Sequence, residues 1–339
     1  MVASKMSIKK IFDRIKRVDK FEEFEKTYGL TLSDEKVSTK FAANFYKSAI
    51  VNYKGYVKGS KDLYSEVIAE TLVTDGFIKD WLNLIPIRPE HFKINHSNEN
   101  EKLDARKITN RKEEILAKLL FCQGNIDGLG CIFDYQTPLK KIQNDSYGKI
   151  DLLGYNTDDE CYSVIELKYR PSGSDETLLR CVLEAYTYYR LLDIKQINSA
   201  KGHEGIQQLK KLPGYKHTNE TELVVLFDER SCAKEDGGAE TNLMLRIDPD
   251  KPNTPSYPSK TVVSQQYKEC QELINLSKRK ELRALCEAIL KQESKLKQIR
   301  FVVLQAQKVS KAPYKNKVDN WSENLERLYR AETLLTISK

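Results

Sequence analysis

Two apolar runs joined by a short polar turn place the strongest constraint on how this chain can fold. The runs are residues 149–155, KIDLLGY, and residues 161–169, CYSVIELKY, and the turn between them begins NTDD. Both runs are rich in branched and aromatic residues that favour strands, and Asn and Asp tolerate the dihedral angles of tight turns. The pattern predicts an antiparallel hairpin whose side chains alternate between two faces.

The segments around the hairpin predict an α/β fold. In chain order they are a helix over 107–123, a strand over 130–137, the hairpin, a helix over 175–194, and strands over 221–229 and 299–307. Ser174 or Asp175 is expected to open the second helix, because such residues cap helix N-termini. Three consecutive strands followed by a helical crossover predict a mixed sheet with helices on its faces.

The chain is expected to divide near residue 100. Residues 1–100 are predicted to be a helical region of unassigned role, and residues 101–339 the α/β domain. Helices are expected in the first part over 5–28, 34–53 and 62–85. The second part is expected to contain a proline-rich loop insertion near 231–260, a helical insertion near 261–297 and a final helix over 319–335.

Charge is unevenly distributed along the chain. The net charge is +7; residues 1–60 and 291–339 each carry +6, and residues 61–290 carry −5. An acidic centre between basic ends fits a carboxylate site flanked by surfaces that bind phosphate groups. Ordinary scatter of charge along a chain is the alternative explanation.

Composition argues against several other classes of protein. There is no apolar run of membrane-spanning length, and the basic N-terminus lacks the apolar segment of a secretory signal. The seven cysteines are scattered without a CxxC pair, and the four histidines are dispersed. These features argue against a disulfide framework, a zinc ribbon or a histidine-based hydrolase. We therefore expect a cytoplasmic protein without a membrane segment.

Charged residues interrupt one face of the second run. By strand alternation Val164, Glu166 and Lys168 share a face, whereas the opposite face is apolar and aromatic. Since buried charges need partners, the pair is expected near a strand end that opens to a cleft. The hairpin can set Asp151 beside Glu166, and two carboxylates suit Mg²⁺ or Mn²⁺. A neighbouring lysine could then orient or deprotonate an attacking water, or stabilise charge on phosphorus.

Asp151, followed fifteen residues later by Glu166-x-Lys168 in this element order, resembles the PD-(D/E)xK nuclease superfamily. The resemblance covers roughly residues 105–230 and extends to residues 300–306, and Ile150 stands where the superfamily's name has proline. It implies a restriction-endonuclease-like αβββαβ core. It also implies that Asp151 and Glu166 bind Mg²⁺ or Mn²⁺, and that Lys168 assists hydrolysis of phosphodiester bonds.

The resemblance adds candidates from the helices on either side. Many members contribute a glutamate from the preceding helix, for which Glu113, at the edge of the inward stripe, is favoured over Glu114. A solvated helix charge is the alternative role for Glu113. RecB-like members carry Gln-x-x-x-Tyr in the following helix, and Glu184-x-x-x-Tyr188 occupies that place with Glu in place of Gln.

Structural roles compete with the remaining assignments. Glu166 and Lys168 could form a surface ion pair on an edge strand, and Glu184 and Tyr188 could pack within the core. Gln136, one strand before Asp151 in the sequence DYQTPL, either points into the cleft or belongs to a turn.

Two functions from different classes follow from these residues. The first is a metal-dependent nuclease, with DNA favoured over RNA as substrate. The second is a non-catalytic module that keeps the fold and binds nucleic acid or another protein. In either case the N-terminal region could recognise substrate, form a homodimer or contact a partner protein.

Overall fold

One curled, mixed sheet organises the part of the chain that the structure describes. In this computed structural model the described residues are 5–28, 39–53, 56–74, 77–85, 87, 112–139, 147–169, 176–199, 204–228, 279–308 and 327–339. The predicted α/β class with a mixed sheet is confirmed. Among the described helices, none is both long enough and apolar enough to cross a membrane.

The strands lie in the sheet in the order in which they occur along the chain. They are β1 (Asn125–Ile126), β2 (Gly130–Pro138), β3 (Lys149–Asn156), β4 (Cys161–Lys168), β5 (Thr221–Asp228), β6 (Leu296–Lys308) and β7 (Arg327–Ser338). β1 to β4 pair antiparallel, β4, β5 and β6 pair parallel, and β7 returns antiparallel to β6. The described segments thus follow the predicted order of helix, three main strands, helix and strand, with the short β1 not foreseen.

The hairpin forms where the sequence predicts it. Asn156 accepts hydrogen bonds on its side-chain oxygen from the backbone N–H groups of Asp158 and Asp159 at 3.1 and 3.3 Å, which is an Asx-type turn. Glu160 completes the reversal with a φ of 54°. Leu152 then pairs with Ile165, and Leu153 pairs with Val164.

Two helices cover opposite faces of this hairpin. Helix α6 (Lys112–Gln123) packs through Leu116 and Leu120 on the face that carries Leu152 and Ile165, here called the α6 face. Helix α7 (Leu178–Leu191) packs on the face that carries Val164, called the α7 face. The strands are thus buried on both sides, so polar groups within them need internal partners.

The N-terminal region shares the hydrophobic core of the α7 face. Its helices are α1 (Lys5–Arg14), α2 (Phe21–Tyr28), α3 (Thr39–Ala42), α4 (Tyr64–Thr74) and α5 (Phe77–Leu82), with 3₁₀ turns at Val18–Lys20, Phe45–Lys47 and Ala49–Asn52. Ile11, Trp81 and Tyr46 belong to the same buried cluster as Val164. The predicted boundary near residue 100 lies outside the described residues.

Three predicted N-terminal helices are shorter or broken. The single helix over 5–28 is wrong, because Lys16 adopts a φ of 55° and separates α1 from the turn before α2. The described part of 34–53 is mostly 3₁₀ turns, and 62–85 is divided into α4 and α5. Amphipathic spacing marks most of the buried positions, although Val18 is exposed, and it does not show where the backbone reverses.

The N-cap of α7 differs from the predicted one. Thr177 caps the helix: its side-chain oxygen accepts a hydrogen bond from the backbone N–H of Arg180 at 3.2 Å. Thr177 also donates from its backbone N–H to the Asn52 side chain at 2.7 Å and from its hydroxyl to the Val51 carbonyl at 2.5 Å. Ser174 and Asp175, the predicted caps, precede this cap and lie outside the described residues.

The helical insertion is described only in part. Helix α10 (Lys280–Gln292) lies within the predicted range of 261–297, but strand β6 already begins at Leu296. Two further helices, α8 (Ile194–Ser199) and α9 (Glu204–Lys210), lie between α7 and β5. The Glu66 carboxylate of α4 accepts hydrogen bonds from the backbone N–H groups of Glu281 and Leu282, at 2.8 and 3.4 Å. Glu66 thus serves the free N–H groups at the start of α10. Residues 231–260, the predicted loop insertion, and 261–278 are outside the described residues.

The predicted final helix is wrong over its described part, because residues 327–338 form strand β7. Tyr329, Ala331 and Ile337 are buried, and β6, which pairs with β5 on one side, would otherwise lack a neighbour on the other. The Ala331 N–H also donates to the Asp127 carbonyl at 2.7 Å, so β7 meets the β1–β2 turn and the sheet curls around α6. The closely spaced leucines suggested a helix, but the need to pair the edge of β6 outweighs this local pattern.

A buried carboxylate organises the end of the sheet where β4 and β5 begin. Glu222 accepts two hydrogen bonds from the Arg300 guanidinium at 2.9 and 2.7 Å, one from Ser163 at 2.7 Å and one from Gln298 at 2.7 Å. Both of its oxygens therefore have donors. Such a network holds the start of β5 between β4 and β6.

We expect Glu222→Gln to lower the free energy of unfolding by about 3–5 kcal/mol, because it leaves the Arg300 charge buried without its counter-charge. Chemical denaturation measures the change. Glu160→Gln is the matched control, since Glu160 pairs with Lys216 on the exposed surface and its loss should change stability little. Equal effects of the two substitutions would contradict this account of the network.

Candidate active site

Lys168 lies at the end of β4 among acidic side chains. It is the last residue of the strand, is buried on the α7 face, and contacts the Glu166 carboxylate through its ammonium group. Its Nζ also lies 3.3 Å from Glu184 Oε2 and 3.2 Å from Glu176 Oε2. The alternative of a surface ion pair on an edge strand is wrong, because Glu166 and Lys168 are only 2% and 4% exposed on a central strand.

Asp151 lies across the hairpin from this pair. Continuing the β3–β4 register by one step beyond Leu152 and Ile165 sets Asp151 opposite Glu166. Its Oδ2 accepts a hydrogen bond from the Leu167 N–H, and its Oδ1 accepts one from the Gln136 side chain, both at 3.0 Å. Two strands therefore hold the Asp151 carboxylate in place.

Helix α6 brings Glu113 to the same end of the sheet. Its Oε2 accepts a hydrogen bond at 3.0 Å from the backbone N–H of Tyr169, the residue after Lys168. The negative charge of Glu113 is also a main cause of the raised Asp151 pKa. Glu114, the alternative, lies about 100° further around the helix and is half-buried.

Helix α7 supplies the other side of the site. Glu184 receives a hydrogen bond from the Tyr188 hydroxyl on Oε1 at 3.0 Å, while its Oε2 contacts Lys168. Glu176 bridges Lys168 and Arg180, whose guanidinium lies 3.1 Å from it. Glu184 therefore contacts the motif directly, Tyr188 is linked to it through Glu184, and both residues are buried.

Among the residues that the structure describes, negative charge exceeds positive charge around this site. The acidic side chains are Glu113, Asp151, Glu166, Glu176 and Glu184, and the cations are Lys168 and Arg180. Burial and the nearby Glu113 charge, opposed by Lys168, raise the pKa of Asp151 to about 7. Burial and the charges of Asp151 and Glu184 hold the pKa of Glu166 well above its ordinary value.

The lysine and its α7 partner keep their charges. Burial alone would lower the pKa of Lys168, but Glu166 and Glu184 outweigh it and hold that pKa well above the ordinary value. Burial would raise the pKa of Glu184, yet Lys168, Arg180 and the hydrogen bonds from Glu166 and Tyr188 lower it. The opposite directions of these two pKa values favour a proton on Glu166 over a proton on Glu184.

Glu166 has one oxygen without a conventional donor. Its Oε1 contacts Lys168, but its Oε2 is buried and accepts no hydrogen bond from the described residues. A buried acceptor that has no donor and lies beside excess negative charge can bind either a proton or a cation. Asp151 and Glu166 thus fit a hard divalent ion chemically. However, within the described ranges no three His, Cys, Asp or Glu side chains are grouped closely enough to hold a metal.

Sequence reasoning missed several residues of the site. The sequence does not decide whether Gln136 points into the cleft or belongs to a turn; in the structure it adopts a φ of 47° and its amide donates to Asp151. Glu176 directly precedes the N-cap Thr177 of α7 and belongs to no motif that the sequence shows. Tyr46 contacts Tyr188 at 3.1 Å from the N-terminal region, and no spacing in the sequence pointed to it.

Comparisons with known proteins found no match for this chain. No protein-family model matches the chain, and no curated protein or solved structure matches it significantly. Any assignment of function must therefore rest on the residues around Lys168.

The raised Asp151 pKa predicts how stability depends on pH in the absence of divalent ions. Ionising Asp151 costs the folded state more than the unfolded chain, where the pKa is near 3.8. Its contribution to the free energy of unfolding is therefore fully present below about pH 4 and is lost as the pH rises through about 7. A full conversion of the pKa difference gives about 4 kcal/mol, and screening at this half-buried side chain reduces it to about 2 kcal/mol.

We expect Asp151→Asn, which stays neutral, to unfold at higher denaturant concentration than wild type at pH 8 in EDTA, and at a similar concentration at pH 4. Urea titrations across this pH range measure the difference. Glu113→Gln should make the wild-type fall smaller, because it removes a charge that raises the Asp151 pKa. Parallel pH profiles for wild type and Asp151→Asn would refute the electrostatic account.

Proposed function

We propose that this chain is a metal-dependent nuclease that hydrolyses phosphodiester bonds. One observation carries the proposal: a buried lysine at the end of β4 lies among excess carboxylates, and Glu166 Oε2 has no donor among the described residues. A purely structural ion pair would tend towards balanced charge and full hydrogen bonding. The unbalanced arrangement supports a site that takes up a cation.

Asp151 and Glu166 are the residues proposed to hold Mg²⁺ or Mn²⁺, with Glu113 supporting them. When bound, such an ion supplies Lewis-acid polarisation of a phosphate and lowers the pKa of a bound water. Lys168 donates hydrogen bonds that orient the attacking water or stabilise charge developing on phosphorus. Glu184 and Glu176 keep the ammonium at the strand end by contacting it from α7 and the segment before it.

DNA is the proposed substrate, with RNA as the alternative. The family resemblance favours DNA, and the net charges of +6 at residues 1–60 and 291–339 support binding to a polyanion. A homodimer or a partner protein contacting the N-terminal region stays a prediction.

A non-catalytic binding module is the competing function, and one observation favours it. Across the part of the chain that the structure describes, no three potential ligands are grouped as a metal site would require. In addition, one oxygen of Glu166 contacts Lys168, so it is not available to a metal ion. A module of this kind would bind nucleic acid or protein without cleaving a bond.

Cleavage assays with matched variants separate these functions. We expect wild type to cleave plasmid or oligonucleotide DNA with Mg²⁺ or Mn²⁺, and to lose that activity in EDTA. Asp151→Ala, Glu166→Gln and Lys168→Met should each lower the rate by about 100-fold or more, because each removes a ligand or a charge that acts in the reaction. Asp193→Ala and Glu160→Gln, acidic positions away from the site, are the controls and should cleave as wild type.

Each outcome decides between the candidates. Equal rates for wild type and Asp151→Ala on DNA and RNA, with either metal, would reject the nuclease. A gel shift that weakens with salt, without cleavage of either substrate, would support the binding module. Calorimetry with Mn²⁺ provides a readout independent of turnover, and Asp151→Ala and Glu166→Gln should weaken the binding.

A further inference from the structure

Tyr46 brings the N-terminal region into contact with the proposed active site. It belongs to the 3₁₀ turn Phe45–Lys47 and is 1% exposed. Its ring meets that of Tyr188 edge to face, with ring centroids 5.7 Å apart at an angle of 73°. The two hydroxyl oxygens are 3.1 Å apart, so the contact is a hydrogen bond as well as a packing interaction.

The direction of this hydrogen bond follows from the proton count. A tyrosine hydroxyl has one proton, and that of Tyr188 is donated to Glu184 Oε1 at 3.0 Å. Tyr46 therefore donates to Tyr188. The second Glu184 oxygen, Oε2, lies 3.3 Å from Lys168 Nζ. A continuous chain of polar contacts thus runs from Tyr46 through Tyr188 and Glu184 to Lys168.

Each member of this chain restricts the next. Glu184 has one oxygen held by Tyr188 and the other by Lys168, which limits rotation of its carboxylate. Because Tyr188 is itself held by Tyr46, its hydroxyl remains directed towards Glu184. In a buried network such contacts reinforce one another.

Gly148 leaves room for the two hydroxyl groups beside β3. A Cβ at this position would lie 3.0 Å from the Tyr188 hydroxyl oxygen and 3.4 Å from that of Tyr46, and its φ is +84°. Gly148 stands three residues before Asp151, so the tyrosine pair lies next to the strand that carries the first acidic residue. A larger residue here would push the pair away from that strand.

The backbone around Tyr46 is fixed to α7. The Ser48 hydroxyl donates to the Phe45 carbonyl at 2.6 Å and closes the turn. The Thr177 contacts with Val51 and Asn52 then attach the following turn to the N-terminus of α7. Tyr46 therefore belongs to a segment that is hydrogen-bonded to the N-terminus of the helix carrying Glu184.

We infer that Tyr46 is a positioning residue, which fixes the Lys168 ammonium through Tyr188 and Glu184. In this account the N-terminal region completes the active site, in addition to any role in binding a partner. The effect on turnover rests on the proposed nuclease function, whereas the effect on Lys168 does not. A phenylalanine at position 46 would fill the same space, so the hydroxyl alone distinguishes positioning from packing.

The rate test uses Tyr46→Phe, Tyr188→Phe and the double variant in the full chain. Each single variant should lower kcat by about fivefold to tenfold, the loss expected for one hydrogen bond, while KM for DNA stays near that of wild type. The double variant should be no slower than Tyr188→Phe alone, because Tyr46 acts through Tyr188.

Tyr155→Phe is the matched control. Tyr155 is a fully buried residue of β3 whose hydroxyl pairs with the backbone of Lys216 at 2.9 and 3.0 Å, at the opposite end of the strand. Its substitution removes a comparable hydrogen bond and should leave kcat unchanged. Thermal unfolding of all variants measures any loss of stability separately from the loss of rate.

A second measurement observes Lys168 without requiring cleavage. Nuclear magnetic resonance of ¹⁵N-labelled lysine ammonium groups detects those whose protons are buried and exchange slowly, and Lys168→Arg assigns the signal. Tyr46→Phe and Tyr188→Phe should shift this signal or broaden it beyond detection, whereas Tyr155→Phe should leave it in place.

The two measurements distinguish failure of the inference from failure of the proposed function. If wild type cleaves nothing but Tyr46→Phe still changes the Lys168 signal, the nuclease proposal fails and the positioning role holds. If Tyr46→Phe leaves both the signal and the cleavage rate as in wild type, Tyr46 only packs and the inference is overturned. Additive losses in the double variant would likewise show that Tyr46 does not act through Tyr188.

Discussion

The buried ammonium of Lys168 is the interaction on which the rest of this site depends. A lone charge at this depth would be prohibitively costly, so the chain surrounds it with carboxylates from β4, α7 and the segment before α7. Burial and the charges of neighbouring carboxylates, opposed by Lys168, hold the pKa values of Asp151 and Glu166 above their ordinary range. The Lys168 charge thus explains why carboxylates gather at this buried strand end, and their excess over the cations among the described residues is what favours uptake of a proton or a cation there.

This requirement also explains how the N-terminal region is placed. Helix α7 must present Glu184 to Lys168, and its N-terminus is held by Val51 and Asn52 through Thr177. Further along the same helix, Tyr188 meets Tyr46. Contacts near both ends of α7 therefore come from residues before the predicted boundary near residue 100. The N-terminal helices share a core with the sheet, and the turn Phe45–Lys47 contacts Tyr188 near its acidic end.

Much of the fold could be predicted from the sequence because its central strands obey a simple alternation. Val164, Glu166 and Lys168 lie on one face because side chains alternate along β4, and the Asn156 turn sets the β3–β4 hairpin by local chemistry. Strand β7 was not predicted, since its closely spaced leucines resemble a helix and only the unpaired edge of β6 decides otherwise.

The site follows the same division between local and long-range information. Glu166 and Lys168 are two residues apart, and Asp151 is one hairpin away, so short-range rules bring them together. Tyr46 reaches Tyr188 across 142 residues, and this contact depends on how whole helices pack. Gln136 required a left-handed backbone conformation that its residue type does not demand.

Each end of the sheet holds a buried carboxylate, but the two carboxylates differ in their hydrogen-bond partners. Glu222 has donors on both oxygens, from Arg300, Ser163 and Gln298, and this arrangement needs nothing from outside the chain. Glu166 lies on the adjacent strand, equally buried, yet its Oε2 has no donor among the described residues and further acidic groups surround it. Glu25 and Glu66 also have one buried carboxylate oxygen without a donor among the described residues, so this feature alone does not mark a site. The acidic end of the sheet differs because the unmet Glu166 oxygen lies among further carboxylates around Lys168, and the proposed chemistry rests on that combination.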